Sequence, residues 1–296
     1  MNSFHTPVLL KEIIDNLRVE KGKKYIDATI GGGGHALEIV RRGGVVLGID
    51  CDQEAIDYIK LKVKLKKDLI LVKGNFRDID KIAHSKGFEK AAGIIFDLGV
   101  SSHQLEVPER GFSFQKEGPL DMRMDKDLTV AARDLIQVLT KGELYELFSK
   151  LGEESNAWRI SELIVSARKV KPIETTRDLA LVVEKALGIK KGAKSDFARA
   201  SVNKKIFQAL RIAVNDEIDA LKEALPKAVT LLEKQARLLV ISFHSLEDRI
   251  VKRSFIAFSQ KGLGEIITKK PITPSLEEIN RNVRGRSAKL RVFALR

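Results

Sequence analysis

Apolar positions in the first hundred residues fall into short blocks separated by polar stretches of helix length. Lys24–Thr29, Val45–Asp50, Leu69–Lys73 and Ala92–Leu98 read as strands apolar on both faces. Ala36–Val40, Gln53–Lys66 and Asp78–Lys86 between them have helical spacing and enough polar residues to cover a sheet. That alternation predicts a parallel sheet with right-handed crossovers. After Ser101 the rhythm changes. Residues 106–118 are rich in Pro, Gly and charge, and only helices follow: Val130–Leu139, Lys141–Leu151, Trp158–Ala167 and Thr176–Leu187. Asp127 or Thr129 is placed to cap the first, Pro172 separates the third and fourth, and Gly188 closes the last. The α/β pattern resumes with a helix over Phe207–Leu232, bent or interrupted near Pro226, then a strand at Arg237–Phe243 and a helix at Ser245–Ser259. Ile266–Ile267 and Leu290–Leu295 supply two last strands. The expectation is an α/β fold with a predominantly parallel seven-stranded sheet built from 1–105 and 206–296, and a helical domain, 106–205, inserted between them.

Composition narrows the class. At 296 residues and 44% hydrophobic the chain can bury a large core, which excludes global disorder. A single cysteine, Cys51, excludes a disulfide-stapled secreted scaffold. The first residues lack a signal-peptide pattern and no apolar run approaches the roughly 20 residues needed to cross a bilayer, so a cytoplasmic protein without a membrane partner is expected. Lys plus Arg is 53 against 40 Asp plus Glu, a formal net charge of +13, which favours a polyanionic partner. The charge is concentrated: Lys269, Lys270, Arg281, Arg284, Arg286, Lys289, Arg291 and Arg296 face only Glu277 and Glu278 in the last 28 residues.

Candidate chemistry gathers at the predicted carboxyl ends of the strands. Asp27-Ala28-Thr29-Ile30-Gly31-Gly32-Gly33-Gly34-His35 joins the first strand to a helix, a turn suited to close backbone approach by a ligand. Asp50 ends the second strand 23 residues after Asp27, where a carboxylate accepts both ribose hydroxyls of a nucleoside cofactor. Asp27 and Asp97 would suit the sulfonium and ammonium of S-adenosylmethionine, whereas carboxylates beside a pyrophosphate would be unfavourable. A nicotinamide or another ligand stays open at this point. Asn75-Phe76 is placed for an adenine edge and face, and Asp52 caps the next helix. On the substrate side, Asp97 through Gln104 is followed by the polar loop Glu109–Phe114 and by Gly118–Asp125. Ser242 and His244 end the strand expected beside the fourth, so they can approach Asp97. No nucleophile elbow accompanies Ser, His and Asp, and the five histidines are isolated, which excludes a hydrolase triad and a metal site.

These motifs resemble one family across nearly the whole chain: the bacterial 16S rRNA cytosine-N4 methyltransferases of the RsmH/MraW type. The resemblance is carried by His5-Thr6-Pro7-Val8-Leu9-Leu10, Gly33-Gly34-His35, Asp97–Ser102, Arg110-Gly111-Phe112-Ser113-Phe114 and Gly118–Asp125. It continues through Phe207–Ile212, Val240–Arg249 and Arg286–Arg291. It implies a class I Rossmann-like methyltransferase that uses S-adenosylmethionine (AdoMet), with Gly33, Gly34, His35, Asp50, Phe76, Asp97 and Gln104 at the cofactor and Asp97, Ser242 and His244 in catalysis. The implied partner is 16S rRNA, in the small ribosomal subunit or an assembly intermediate, methylated at a decoding-region cytidine. The implied substrate contacts are His5, Ser101, Arg110, Phe112, Phe114, Arg123, Lys205, Arg211, Arg249, Arg286 and Lys289. A homodimer is compatible with the sequence but not required by it. The chain departs from the family pattern at Ser201–Ile206, where His-Pro-Ala-Thr-Arg-Thr is usual, at His103, and at Trp158-Arg159 in place of Arg-Arg. The alternatives are methylation of another RNA amine and a nonenzymatic RNA-binding assembly protein.

Overall fold

A computed structural model describes residues 7–62, 67–188 and 193–296; His5 lies outside them. The described chain divides into two compact units, residues 7–101 with 218–296, and residues 102–217. The first contains a seven-stranded sheet made of β1 (Lys24–Asp27), β2 (Val45–Asp50), β3 (Leu69–Lys73), β4 (Ala91–Asp97), β5 (Leu232–Ser242), β6 (Gly264–Ile266) and β7 (Lys289–Leu295). Their order across the sheet is β3-β2-β1-β4-β5-β7-β6. β1 to β5 pair in parallel, while β7 runs antiparallel to both β5 and β6. The order reverses between β1 and β4, the switch point at which open parallel sheets bind ligands beyond their carboxyl ends.

Strict alternation of apolar residues feeds two cores, one on each face. Ile26, Leu47, Ile94, Phe96, Leu238 and Val240 pack with helices α4 (Ile79–Ser85), α11 (Glu217–Thr230) and α12 (Ser245–Gln260). Tyr25, Val46, Ile95, Leu239 and Ile241 point the other way, toward α1 (Leu10–Leu17), α2 (Gly34–Arg41) and α3 (Gln53–Lys62). A central strand with both faces covered reads as a continuous hydrophobic run, which is why these strands were legible.

The second unit is helical: α5 (Ser102–Glu106), α6 (Ala132–Val138), α7 (Lys141–Lys150), α8 (Ala157–Val170), α9 (Thr176–Ala186) and α10 (Ala193–Asn215). Ile136, Leu144, Phe148, Ile160, Ile164, Leu179, Val183, Ile206 and Leu210 are buried. Thr140 with Glu143, and Thr175 with Asp178, close reciprocal caps on α7 and α9. The cap expected from Asp127 or Thr129 on α6 is absent. The cap position is Ala131, whose own N–H is accepted by Asp134 from the first turn at 2.8 Å.

The helix expected over Phe207–Leu232 is two helices, and they meet at Asp216, not at Pro226. Asp216 has φ 49°, a left-handed conformation that Asp tolerates, and Pro226 lies inside α11, where proline forfeits its own N–H bond. α10 and the first residue of α11 belong to the second unit, and α5 opens it, so this unit extends beyond 106–205 on both sides.

Gly111 shows how tightly the loop before α6 is wound. It has φ 72°, and a Cβ there would lie 2.2 Å from the Pro119 carbonyl oxygen and 2.6 Å from the Asp121 nitrogen, both backbone atoms. Gly111→Ala is expected to destabilise this unit by about 2–5 kcal/mol, combining left-handed strain with overpacking. The measurement is the urea midpoint followed by the single tryptophan, Trp158 on α8; an unchanged midpoint contradicts the expectation.

Candidate active site

Three neighbouring strands end in carboxylates: Asp50 on β2, Asp27 on β1 and Asp97 on β4. Asp50 is oriented by the backbone. Its Oδ2 accepts the Gly31 N–H at 2.8 Å and its Oδ1 accepts the Asp52 N–H at 2.9 Å. Asp97 is anchored through its own N–H, which donates to Thr29 Oγ1 at 2.6 Å. Asp27 is 1% exposed and accepts a long bond, 3.3 Å, from the Thr29 N–H. Burial, with Asp97 and Asp50 nearby adding repulsion, pushes its carboxyl up to about 7.

The glycine turn lies above these acids. Gly31 and Gly33 have φ 49° and 79°, and Gly33 caps α2, so they serve the left-handed turn itself. Gly34 serves a different purpose on its Cα side, where a Cβ would sit 2.8 Å from Pro7 Cβ and Cγ. His35 is 4% exposed; its Nε2 is 3.0 Å from the Val8 carbonyl and its Nδ1 is 3.7 Å from Asp97 Oδ2. Phe76 is half-buried at the start of a 3₁₀ turn and meets Phe96 edge-on at 5.7 Å, with Asn75 capping that turn through the Arg77 N–H. Gly33, Gly34, His35, Asp50, Phe76 and Asp97 therefore all lie at the carboxyl end of the parallel sheet. Gln104 is buried on α5 in the second unit.

Ser242 and His244 follow Ile241, the β5 residue paired with Asp97. Both are engaged locally. The buried Ser242 hydroxyl donates to the Lys289 carbonyl at 3.4 Å. His244 caps α12: Nδ1 accepts the Glu247 N–H at 3.4 Å, and Nε2 lies 3.1 Å from Glu247 Oε1. Glu247 in turn accepts the Phe243 and His244 N–H groups at 2.8 and 3.3 Å, so it shapes this corner, a role not singled out in the sequence.

Several expected substrate residues point inward. Arg110 is 3% exposed and donates to the Arg123 and Met124 carbonyls at 3.0 and 2.9 Å. Arg123 clamps Asp121 at 2.7 and 2.8 Å, and Arg211 clamps Glu217 at 2.8 and 2.9 Å. Phe112 is buried and Phe114 packs edge-on against Phe207 at 5.7 Å. Lys205 donates to the Glu153 carbonyl and meets Glu154, both at 3.2 Å. Ser101 is half-buried, Lys289 lies 3.6 Å from Asp248, and Arg249 and Arg286 are exposed. Burial pushes the Asp248 carboxyl up, but its hydrogen bonds to Arg291 at 2.6 and 3.1 Å, together with the charges of Arg291 and Lys289, hold it below the usual carboxylate range. Among the described residues no group of His, Cys, Asp and Glu could hold a metal ion, and no helix is long and apolar enough to cross a membrane.

Comparison with known proteins agrees with this arrangement. The MraW methylase family matches residues 2–296. The chain belongs to that family. The ribosomal RNA small subunit methyltransferase H of Persephonella marina is 45% identical over 97% of this chain and 98% of its own length. The protein of the same name from Halothermothrix orenii is 42% identical, covering 97% of each. The MraW-type sequence pattern thus lies on a sheet whose switch point carries three acids, and the fit to a cationic methyl donor can be judged from the chain itself. Gly31 and Gly33 open the turn, Asp50 is held by the Gly31 N–H, and the buried Asp27 is raised by burial and by its acidic neighbours. Such a cluster suits a cation better than a diphosphate.

The titration of Asp27 has a definite sign. Its carboxyl is raised in the folded protein, so the native state binds more protons than the unfolded state between about pH 4 and pH 7. Stability is then lost as pH rises through that window. Asp27→Asn removes this loss and is expected to gain a few kcal/mol relative to the wild type between pH 5 and pH 8. Urea midpoints of both proteins at the two pH values check it; parallel pH profiles contradict it.

Proposed function

We infer that this chain transfers a methyl group from AdoMet to the exocyclic N4 amine of a cytidine in the decoding region of small-subunit rRNA, acting in the cytoplasm on the subunit or an assembly intermediate. The observation that carries the reading is the near full-length identity to proteins named ribosomal RNA small subunit methyltransferase H. The acid cluster at the switch point supports the cofactor, and the net charge of +13 supports the nucleic acid.

AdoMet supplies, when bound, an activated methyl group on a cationic sulfur. Asp50 would take the ribose hydroxyls, the glycine turn would let the backbone approach, and Asp27 and Asp97 would offset the cationic charge. A cytosine must leave its stack to reach this position, and its N4 lone pair is delocalised into the ring. Asp97 accepts a hydrogen bond from N4, which localises the lone pair and aligns it with the methyl carbon. Asp97 would then accept the proton that N4 loses on methylation. Ser242 and His244, held by Lys289 and Glu247, keep the end of β5 in place beside Asp97. Shape and phosphate contacts come from the exposed basic side chains, including Arg249, Arg286, Lys269 and Lys270, and from Lys289.

The decisive experiment is incubation of small subunits from cells lacking this enzyme with radiolabelled AdoMet, followed by nucleoside mass spectrometry and position mapping. N4-methylcytidine at one decoding-region site is expected. Label at another base or amine would reassign the substrate, and binding of RNA without AdoMet binding or transfer would replace the enzyme by an assembly protein. Asp97→Asn is expected to lower kcat by about 10²–10⁴-fold. Near-normal turnover in that variant, with AdoMet affinity unchanged, overturns the role of Asp97.

A further inference from the structure

Helix α13 (Leu276–Arg281) opens with Ser275-x-x-Glu278, the sequence of a capping box. Half of the box forms: Ser275 Oγ accepts the Glu278 N–H at 3.2 Å. The other half is diverted. Instead of returning to the Ser275 N–H, Glu278 Oε1 accepts the N–H of Leu9 at 2.6 Å, a residue 269 positions away. Leu9 is fully buried and left-handed, φ 54°, a conformation unfavourable for a branched apolar side chain. The carboxylate satisfies a buried donor and stabilises that turn.

What the turn holds is the wall of the candidate active site. Pro7 rests on Gly34, and a Cβ on Gly285 would lie 3.3 Å from Val8 Cγ1, so residues 7–9 are wedged between the glycine turn and the segment that follows α13. The Val8 carbonyl faces His35 Nε2 at 3.0 Å. A carbonyl only accepts, so Nε2 carries a hydrogen and the other edge of the ring is turned toward Asp97. Nδ1 lies 3.7 Å from Asp97 Oδ2, the acid to which the proposed reaction delivers its proton.

We propose that Glu278 is a positioning residue for methyl transfer, acting through the Leu9 N–H and the Val8 carbonyl to set the His35 ring that faces Asp97. The exposed Arg281, Arg284 and Arg286 occupy the same short segment, so RNA phosphates docking there bear on Asp97 through this bond. That last step rests on the rRNA reading; the positioning itself does not.

The test reads His35 in the full-length protein labelled with ¹⁵N-histidine, without RNA, its signals assigned by their loss in His35→Gln. The wild type is expected to carry the proton on Nε2, and the opposite tautomer overturns the proposal with no variant needed. Glu278→Ala is expected to move the His35 nitrogens toward a tautomer average and to lower kcat about tenfold, with the KM for AdoMet changed less than twofold. Glu278→Gln, whose amide oxygen still accepts from Leu9, is expected to restore both. An alanine variant with unchanged His35 signals, or with wild-type kcat, overturns the positioning role. If small-subunit rRNA proves not to be the substrate, the His35 signals still decide whether Glu278 sets the ring.

Discussion

Three carboxylates at the ends of adjacent parallel strands constrain everything around them. Strands in a sheet lie about 4.8 Å apart, so Asp50, Asp27 and Asp97 cannot separate far without breaking register. The fold meets this crowding unevenly. Asp50 receives two backbone N–H groups, Asp97 is anchored by Thr29 and faces His35, and Asp27 is left with one long bond and a raised carboxyl. A cationic ligand relieves that tension and a pyrophosphate increases it. The charge of the strand ends thus separates a sulfonium donor from a dinucleotide, which the glycine run by itself does not.

Positive charge is handled by a different rule. A net +13 suggests a surface made for polyanions, yet much of the arginine in the second unit is structural. Arg110, Arg123, Arg168 and Arg211 satisfy carbonyls or carboxylates of their own unit, using the planar guanidinium as a multi-donor strut. The acceptors they reach offset the cost of burying such a group, and removal would orphan them. The outward charge is therefore smaller than the formal count, and it is carried on exposed side chains such as Arg249, Lys269, Lys270, Arg281, Arg284 and Arg286.

How far the sequence discloses the molecule depends on the range of the interaction involved. Strands β2 and β3 coincide with the apolar runs Val45–Asp50 and Leu69–Lys73, because burial on both faces is a local signal. α1 escaped because it is eight residues long and is bounded by left-handed Leu9 and Arg18, neither of them a glycine that would announce the turn. α10 begins at Ala193, well before the apolar register that starts near Phe207, and its polar first half has no periodicity to read. The pattern places the break between α10 and α11 at proline, the usual breaker, whereas it lies at Asp216. Asp27, Asp50 and Asp97 were legible because strand ends locate them. The inward turn of Arg110 and Arg211, and the engagement of Glu278 with Leu9, depend on partners that local pattern does not reveal.

Ser275-x-x-Glu278 sharpens that last point. The sequence pattern for a helix start is present and the helix starts there, yet the glutamate's stronger commitment is to a donor from the other end of the domain. A buried N–H in a left-handed residue costs more to leave unpaired than one at an exposed helix terminus, where water substitutes. The carboxylate goes where its absence would be most costly. The bond that holds residues 7–9 joins positions 269 apart in the sequence. The strand-end acids are placed by the sheet and by the turns that follow β1 and β2, whereas the Val8 carbonyl that meets the His35 ring is held through this long-range bond. In the proposed reading the acids and the His35 ring therefore rest on different parts of the fold.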